Sequence, residues 1–558
     1  SDAGPAWEEN DMEAIRDVAL GDLPATLEKH ANGTYYVRCQ IPLPPVAIRL
    51  TDRLDHWAEQ TPDRIFLAQR QADQNWRLVT YQQARDLVRH LASALLLRKL
   101  SVERPLVVLS GNDIEQGLLS LACMLVGVPF VPVSPAYSLI STDYDKLRTI
   151  LAKVTPGMIF VSTTTPFAKA ISATVDRSVE IVASSGTLSD RAVTTYTDLA
   201  ATPLSPNLET AIAQVGPDTI AKILFTSGST GQPKGVINTQ RMLCANQAML
   251  AHSLAQGVKE PPVLVDWLPW HHTFGGNHNF GYVLNTGGSL YIDEGKPTPT
   301  GIAATARNLS EISPTVYFNV PKGYEELLLK LRADEALRQN FFKNLRMTFY
   351  AGAGLPPHVA QALDELAVAT IGSKILMVTS LGSTETAPAS LFCTKQTARP
   401  GVVGVPLPGV ELKLVPVAEK LELRIRGPNI TPGYWKDPEQ TAKAFDDEGF
   451  YCIGDALKFA TKDDPNGGFI FDGRISEDFK LATGTWVSVG PLRGRLIAAF
   501  APLVKDAVIA GHDKDDIMAL LLPEADAIRH FLGTSSQGLT DQALLAHPAL
   551  RQEMQKRL

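Results

Sequence analysis

The sequence is poor in the features that would tie it to an oxidising compartment, a membrane or nucleic acid. Five cysteines, Cys39, Cys123, Cys244, Cys393 and Cys452, are scattered through 558 residues and never fall into a CxxC spacing. Neither a disulfide framework nor a zinc ribbon is expected from them, and a reducing cytoplasm is the natural setting. Positive charge is not in excess: 52 Lys and Arg stand against 59 Asp and Glu, a net charge of −7. A nucleic-acid partner would call for a basic footprint instead. The longest apolar run, Leu118 to Val133, is interrupted by Gly127, Pro129 and Pro132, so no membrane span is expected. Ser1 to Asn10 is acidic and polar and lacks the apolar core of an export signal. No internal repeat or low-complexity tract is evident.

What is present is the composition of a globular enzyme-sized chain, with 45% apolar and 20% charged residues. Its length predicts a large body and at least one smaller domain. Residues 45–140 alternate between helix and strand signals. Thr80-Tyr81-Gln82-Gln83 fits a capping box ahead of Ala84, Leu87, Val88, Leu91 and Leu95 at helical spacing. Leu106–Leu109 and Phe130–Val133 read as strands, and Met158–Val161 and Glu180–Val182 continue the rhythm. This βαβ pattern predicts an α/β fold of mostly parallel sheets flanked by helices, with sites at the carboxyl ends of strands.

The densest stretch is Leu224 to Val236. Behind the apolar Ile223-Leu224-Phe225, four hydroxyl residues, Thr226, Ser227, Ser229 and Thr230, alternate with Gly228 and Gly231, and Lys234 and Gly235 close the loop. Glycines let backbone N–H groups approach a polyanion, so the stretch suits a phosphate loop. A flexible linker is the competing reading, but a buried strand does not usually lead into one. The P-loop NTPase pattern fails, because Pro233 stands where its second glycine belongs and Gly235 follows Lys234. Further on, Trp270, His271, His272, Phe274 and His278 crowd together. A zinc site lacks the HExxH spacing, and a core strand with its turn is the plain alternative.

Thr-Ser-Gly-Ser-Thr-Gly-Gln-Pro-Lys-Gly (226–235) resembles the signature loop of the acyl-adenylate-forming superfamily, which includes acyl-CoA synthetases. The chain also carries, in order, Tyr350 to Pro356, Thr379 to Thr386, Gly454-Asp455 and Gly473-Arg474, as that resemblance requires. It implies an adenylation domain over residues 1–473 and a small mobile α+β domain over 474–558. The second domain reads as cut short, because the lysine that the superfamily uses for adenylation is not found after Arg474. It further implies ATP, magnesium and CoA as the cofactors and co-substrates, a small-molecule carboxylic acid as the substrate, a cytoplasmic location, and allows for a homodimer.

By the same resemblance, Lys234, Thr384, Glu385 and His272 take catalytic positions, and Glu385 the magnesium. Thr226, Ser227, Gly228, Ser229, Thr230, Gly231, Gly352, Ala353, Gly354, Gly382, Ser383, Asp455, Arg474, Lys480 and Gly484 fall where nucleotide and CoA contacts lie. Trp270, His271, Phe274 and Leu381 would line the acyl pocket. Leu381 stands where an aromatic is common, and Ser476 occupies the hinge position usually held by Asp or Lys. The wording around Trp267 to Gly276 and Thr483 to Val489 is similar to the feruloyl-CoA synthetase branch. The implied reaction joins a hydroxycinnamic acid to CoA through acyl-AMP. A fatty-acid or benzoate ligase is the near alternative, and a non-catalytic nucleotide-binding or acyl-carrier-interaction protein the distant one.

Overall fold

The structure is a computed structural model that describes residues 15–227, 231–483 and 485–558. Gly228, Ser229, Thr230 and Gly484 of the expected nucleotide and CoA contacts, with Ser1 to Asn10, lie outside the described residues. Three sheets build the large body. The first has seven strands, in the order Pro233–Thr239, Ile220–Ser227, Phe130–Pro132, Leu106–Val108, Met158–Thr163, Glu180–Ser185 and Thr194–Thr195. Every neighbouring pair is parallel except the first, which is an antiparallel hairpin.

Side-chain alternation explains why these strands read as continuous apolar runs. Leu106 and Val108 join one hydrophobic cluster while Val107 joins another; Met158 and Phe160 part from Ile159 and Val161 in the same way. Both faces are therefore covered. On one side lies the helix Tyr81–Leu97, whose Thr80 side chain accepts from Gln83 N while Gln83 returns a bond to Thr80 N, the expected capping box. The helix Ile114–Leu125 starts in the same manner, with Asp113 accepting from Gln116 N at 2.6 Å.

The second sheet has eleven strands and is mixed. Its parallel part, Val316–Asn319, Met347–Tyr350 and Leu376–Gly382, follows the βαβ rhythm. The rest, including Tyr451–Thr461 and Asp464–Arg474, is antiparallel. A third sheet of four strands pairs Val263–Asp266 and Ser289–Ile292 with Ile65–Arg70 and Trp76–Thr80.

A smaller C-terminal domain of strands and helices follows. The hairpin Val504–Ala510 with Met518–Pro523 and the helices Val489–Phe500 and Ala525–Leu532 enclose two small clusters of their own, around Leu503, Ile528 and Leu544 and around Val487 and Ile509. At the junction, the ammonium of Lys420 pairs with the carboxylate of Asp478, both side chains being buried. Among the described residues, no helix is long and apolar enough to cross a membrane, and all five cysteines are free thiols.

Candidate active site

The glycine- and hydroxyl-rich stretch caps a hairpin at the edge of the seven-stranded sheet. Thr226 pairs with Lys234 and Ser227 with Pro233 at the end of its described ladder. Gly231 sits at φ +78°, in the left-handed region that glycine enters without steric cost. Two neighbours fix the outer strand. Ile237 N donates to Gly433 O at 3.2 Å and Trp435 N to Gly235 O at 2.7 Å, while Lys153 Nζ donates to Pro233 O at 3.3 Å.

Three segments distant in sequence meet beside this hairpin. The strand Leu376–Gly382 runs into a tight turn over Thr384–Thr386. Gly382 is required there, since a Cβ would fall 1.7 Å from Pro388 O. Asn238 Nδ2 donates to Thr384 O at 3.3 Å, and Thr431 N to Glu385 O at 2.8 Å. The Glu385 carboxylate accepts from the Tyr434 hydroxyl at 3.0 Å. Lys234 Nζ in turn lies 5.2 Å from the centre of the Tyr434 ring. Burial and the adjoining carboxylate push the Tyr434 hydroxyl above its ordinary range, so it stays a proton donor to Glu385.

Asp455 and Arg474 face one another across the pairing of Tyr451–Thr461 with Asp464–Arg474, Nε to Oδ1 at 3.5 Å. Burial raises the Asp455 carboxyl to about 6, with Arg474 opposing the shift and Glu477 adding to it. The Arg474 side chain is 61% exposed, which leaves its other donors open to a ligand. Gly352, Ala353 and Gly354 are exposed between the strand Met347–Tyr350 and the helix Pro357–Ile371, with Gly352 at φ +90°. Ser383 and Leu381 lie half-buried on the approach to Glu385. Ser476 and Lys480 are exposed past Arg474, with Lys480 Nζ 5.8 Å from the centre of the Trp486 ring.

The histidine-rich stretch folds as a turn and then a wide helical turn, Phe274–Asn279, that leads into Phe280–Thr286. Trp270 is buried against Phe280, and its backbone N–H donates to Asn112 Oδ1 at 2.9 Å. The His271 and His272 rings are tilted at 45° with centres 4.8 Å apart, His272 exposed and His271 half-buried. Burial and the neighbouring His272 lower His271 to about 4, so it is a neutral imidazole at physiological pH. Phe274 packs on Phe349, with ring centres 5.6 Å apart.

The family model for AMP-binding enzymes matches residues 54–435, the span that contains the hairpin, Glu385 and Tyr434. The chain belongs to the AMP-binding enzyme family. It is 29% identical over 322 residues to a 3-hydroxybenzoate–CoA ligase of Aromatoleum sp. (strain CIB), covering 55% of this chain and 56% of that protein. It is 27% identical over 324 residues to the mitochondrial malonate–CoA ligase ACSF3 of Homo sapiens, covering 52% and 54%. The chain thus spans about half the length of these two relatives. In fold it is similar to the anthranilate CoA ligase AuaEII in complex with anthranoyl-AMP, at 20% identity, a TM-score of 0.70 and 92% coverage of both chains.

Within this AMP-binding enzyme, some prominent side chains carry no role from the sequence reading. Tyr434 was visible only as part of Gly433-Tyr434-Trp435, with nothing to say that its hydroxyl meets Glu385. Lys222 is 3% exposed in the strand that enters the loop, and its Nζ donates to Gly276 O at 2.8 Å. Burial lowers its ammonium to about 7. A lysine inside the apolar run Ala221 to Phe225 was the available signal. Asn238 and Asn277 are buried and joined, Nδ2 of Asn277 to Oδ1 of Asn238 at 2.7 Å. Together they link the histidine-bearing helical turn to Thr384.

Proposed function

We propose that the protein is an ATP-dependent acid–thiol ligase that activates an aromatic carboxylic acid as its acyl-AMP and passes the acyl group to CoA. The observation that carries this reading is the meeting of Lys234, on the outer strand of the 220–239 hairpin, with Tyr434 and Glu385. Membership of the AMP-binding family and the two CoA-ligase relatives support it. A hydroxycinnamic acid such as ferulate is the preferred substrate class, on the wording of Trp267 to Gly276. A hydroxybenzoic acid is the second reading, favoured by the Aromatoleum relative.

In the first step, an oxygen of the acid attacks the α-phosphorus of ATP, and the bond from that phosphorus to the pyrophosphate oxygen breaks. The reacting groups are anionic, so alignment and neutralisation make up most of the catalytic demand. Lys234 is the cation placed for the departing pyrophosphate, and Thr384 and the hairpin turn supply donors to phosphate oxygens. Asp455 accepts the two ribose hydroxyls, with Arg474 beside it, and residues 352–354 lie where a planar base would rest on backbone. In the second step, the CoA sulfur attacks the acyl carbon and AMP leaves. Ser476, Lys480 and Gly484 belong to the domain that closes over that step, and we put its boundary after Gly473.

Magnesium fits the site in one way only. Among the described residues, no group of three or more His, Cys, Asp or Glu side chains is arranged to hold a metal, but magnesium commonly takes one protein carboxylate and substrate phosphate oxygens. Glu385 would hold it, and when bound it would offset charge on the triphosphate. Tyr434 keeps the Glu385 carboxylate oriented.

Pyrophosphate release measured with ferulate, 3-hydroxybenzoate, malonate and octanoate, with and without CoA, tests the proposal. Release that depends on an aromatic acid, with thioester formed only when CoA is present, is expected. Release with no acid would overturn the reading, and release with octanoate or malonate alone would overturn the substrate class.

A further inference from the structure

His278 plays no part in the reaction outlined above, yet its surroundings are unusual for a buried histidine. It is 1% exposed. Its ring stacks on Phe349 at 5.1 Å and meets the rings of Phe318 at 5.1 Å and Phe274 at 5.5 Å. Phe274 is one of the expected acyl-pocket walls, and Phe349 lies in the strand that ends at the 350–354 loop. His278 therefore lies where the pocket helix meets the strands beneath the nucleotide site.

The hydrogen bonds on one side of the ring determine what the other side can do. Asn279 Nδ2 donates to Asp266 Oδ2 at 3.0 Å, which turns the Asn279 carbonyl oxygen toward His278 Nδ1 at 2.9 Å. A carbonyl oxygen can only accept, so Nδ1 carries the proton. Burial holds the imidazole neutral, lowering its pKa to about 4, and Nε2 is then a bare lone pair. Among the described residues, Nε2 has no hydrogen-bond partner. A buried acceptor left unpaired costs free energy that a ligand donor can recover.

We propose that His278 Nε2 is the specificity-determining acceptor at the inner end of the acyl pocket, reading a hydroxyl on the ring of the acid substrate. The inference rests on the acid-activating reading given above and narrows it: the substrate is an aryl acid whose ring carries a hydrogen-bond donor away from its carboxylate. Cinnamate, benzoate and O-methylated rings offer the same flat apolar surface to Phe274, Phe318 and Phe349, but no proton to Nε2. The device discriminates because the acceptor is prearranged and buried; rejecting a donor-less analogue requires no steric block.

Two measurements at about pH 8, where Asp266, raised by burial to about 7, is largely ionised, test the assignment. The first compares kcat/KM for pyrophosphate release with paired acids: 4-hydroxycinnamate against cinnamate and 4-methoxycinnamate, and 3-hydroxybenzoate against benzoate. The intact protein should favour the hydroxylated member by about tenfold to a hundredfold, and His278→Phe should remove the preference while still accepting the unsubstituted acid. The second follows the imidazole nitrogens of His278 by 15N NMR. The free protein should show the Nδ1–H tautomer, and 4-hydroxycinnamate, but not cinnamate, should shift Nε2 as it accepts a bond. Release that is equal for both members of each pair overturns the role of His278 and leaves the ligase reading standing. If no acid supports release, the ligase reading fails, and the NMR arm then decides alone: an unmoved Nε2 or an Nε2–H tautomer overturns the inference, and a donor-dependent shift supports it. His278→Asn, which keeps a polar side chain, serves if the Phe variant does not fold.

Discussion

Single side chains in this protein are set by burial more than by charge pairing. Lys222 is the clearest case, since among the described residues its ammonium bonds only to a backbone carbonyl. In the fold its ammonium loses its proton near pH 7, against 10.5 in the ordinary range. Between those values the unfolded chain binds one proton more, so stability should rise with pH across that window and be lost as pH falls toward 7. Lys222→Met should flatten the dependence by about 1.4 kcal/mol per pH unit, as read from urea unfolding of both proteins at pH 7.5 and 9. At Asp455 the sign concerns binding. Ribose hydroxyls donate to the ionised carboxylate, so nucleotide affinity should fall as pH drops through about 6, whereas Asp455→Asn should bind weakly with no such step. Calorimetric titration of AMP at pH 5 and 7.5 would show it. Glu385→Ala should reduce pyrophosphate release by at least about a hundredfold while leaving the melting temperature within a few degrees, given that a charge-stabilising group is lost. A variant retaining most activity would remove Glu385 from the metal role.

At the level of elements, legibility followed how local the cause was. The capping box at Thr80 and Gln83 is contained in four residues, and the structure has it; Thr80→Ala should cost about 1 kcal/mol in chemical denaturation. The strands Leu106–Val108 and Met158–Thr163 were readable because both faces are buried and the sequence is apolar throughout. The helical turn Phe274–Asn279 was not. Gly275 and Gly276 argue against a helix by propensity, but a Cβ on them would fall 2.4 Å from Leu268 O and 2.3 Å from Trp270 O. Close packing of two backbones, which local sequence does not report, explains both the glycines and the helix. The antiparallel half of the large sheet was hidden for a similar reason. Tyr451–Thr461 and Asp464–Arg474 carry Asp455 and Arg474, and their pairing with Lys420–Arg426 and Val402–Pro406 is a long-range matter. The candidate site was legible as a set of motifs, while the contacts that join them, Tyr434 to Glu385 above all, were not.

Across the whole molecule, the junction between the large body and the smaller domain turns on Lys420 and Asp478. A charged pair with both side chains buried contributes little net stability, but removing one partner leaves the other charge stranded. Asp478→Ala should therefore lower stability by about 3–5 kcal/mol and open the segment after Arg474 to limited proteolysis, with cleavage mapped by mass spectrometry. Unchanged cleavage would mean that the pair does not hold the junction. The edge hairpin has a further consequence, for the ribosome. Its outer strand pairs with Tyr434 through Val236, so about two hundred further residues must emerge before that edge is covered. At about 5–20 residues per second, the wait is roughly ten to forty seconds. Throughout it, the nascent chain shows an open ladder of amides and carbonyls, the kind of surface that recruits other strands, and chaperone capture during translation should be strongest in this interval.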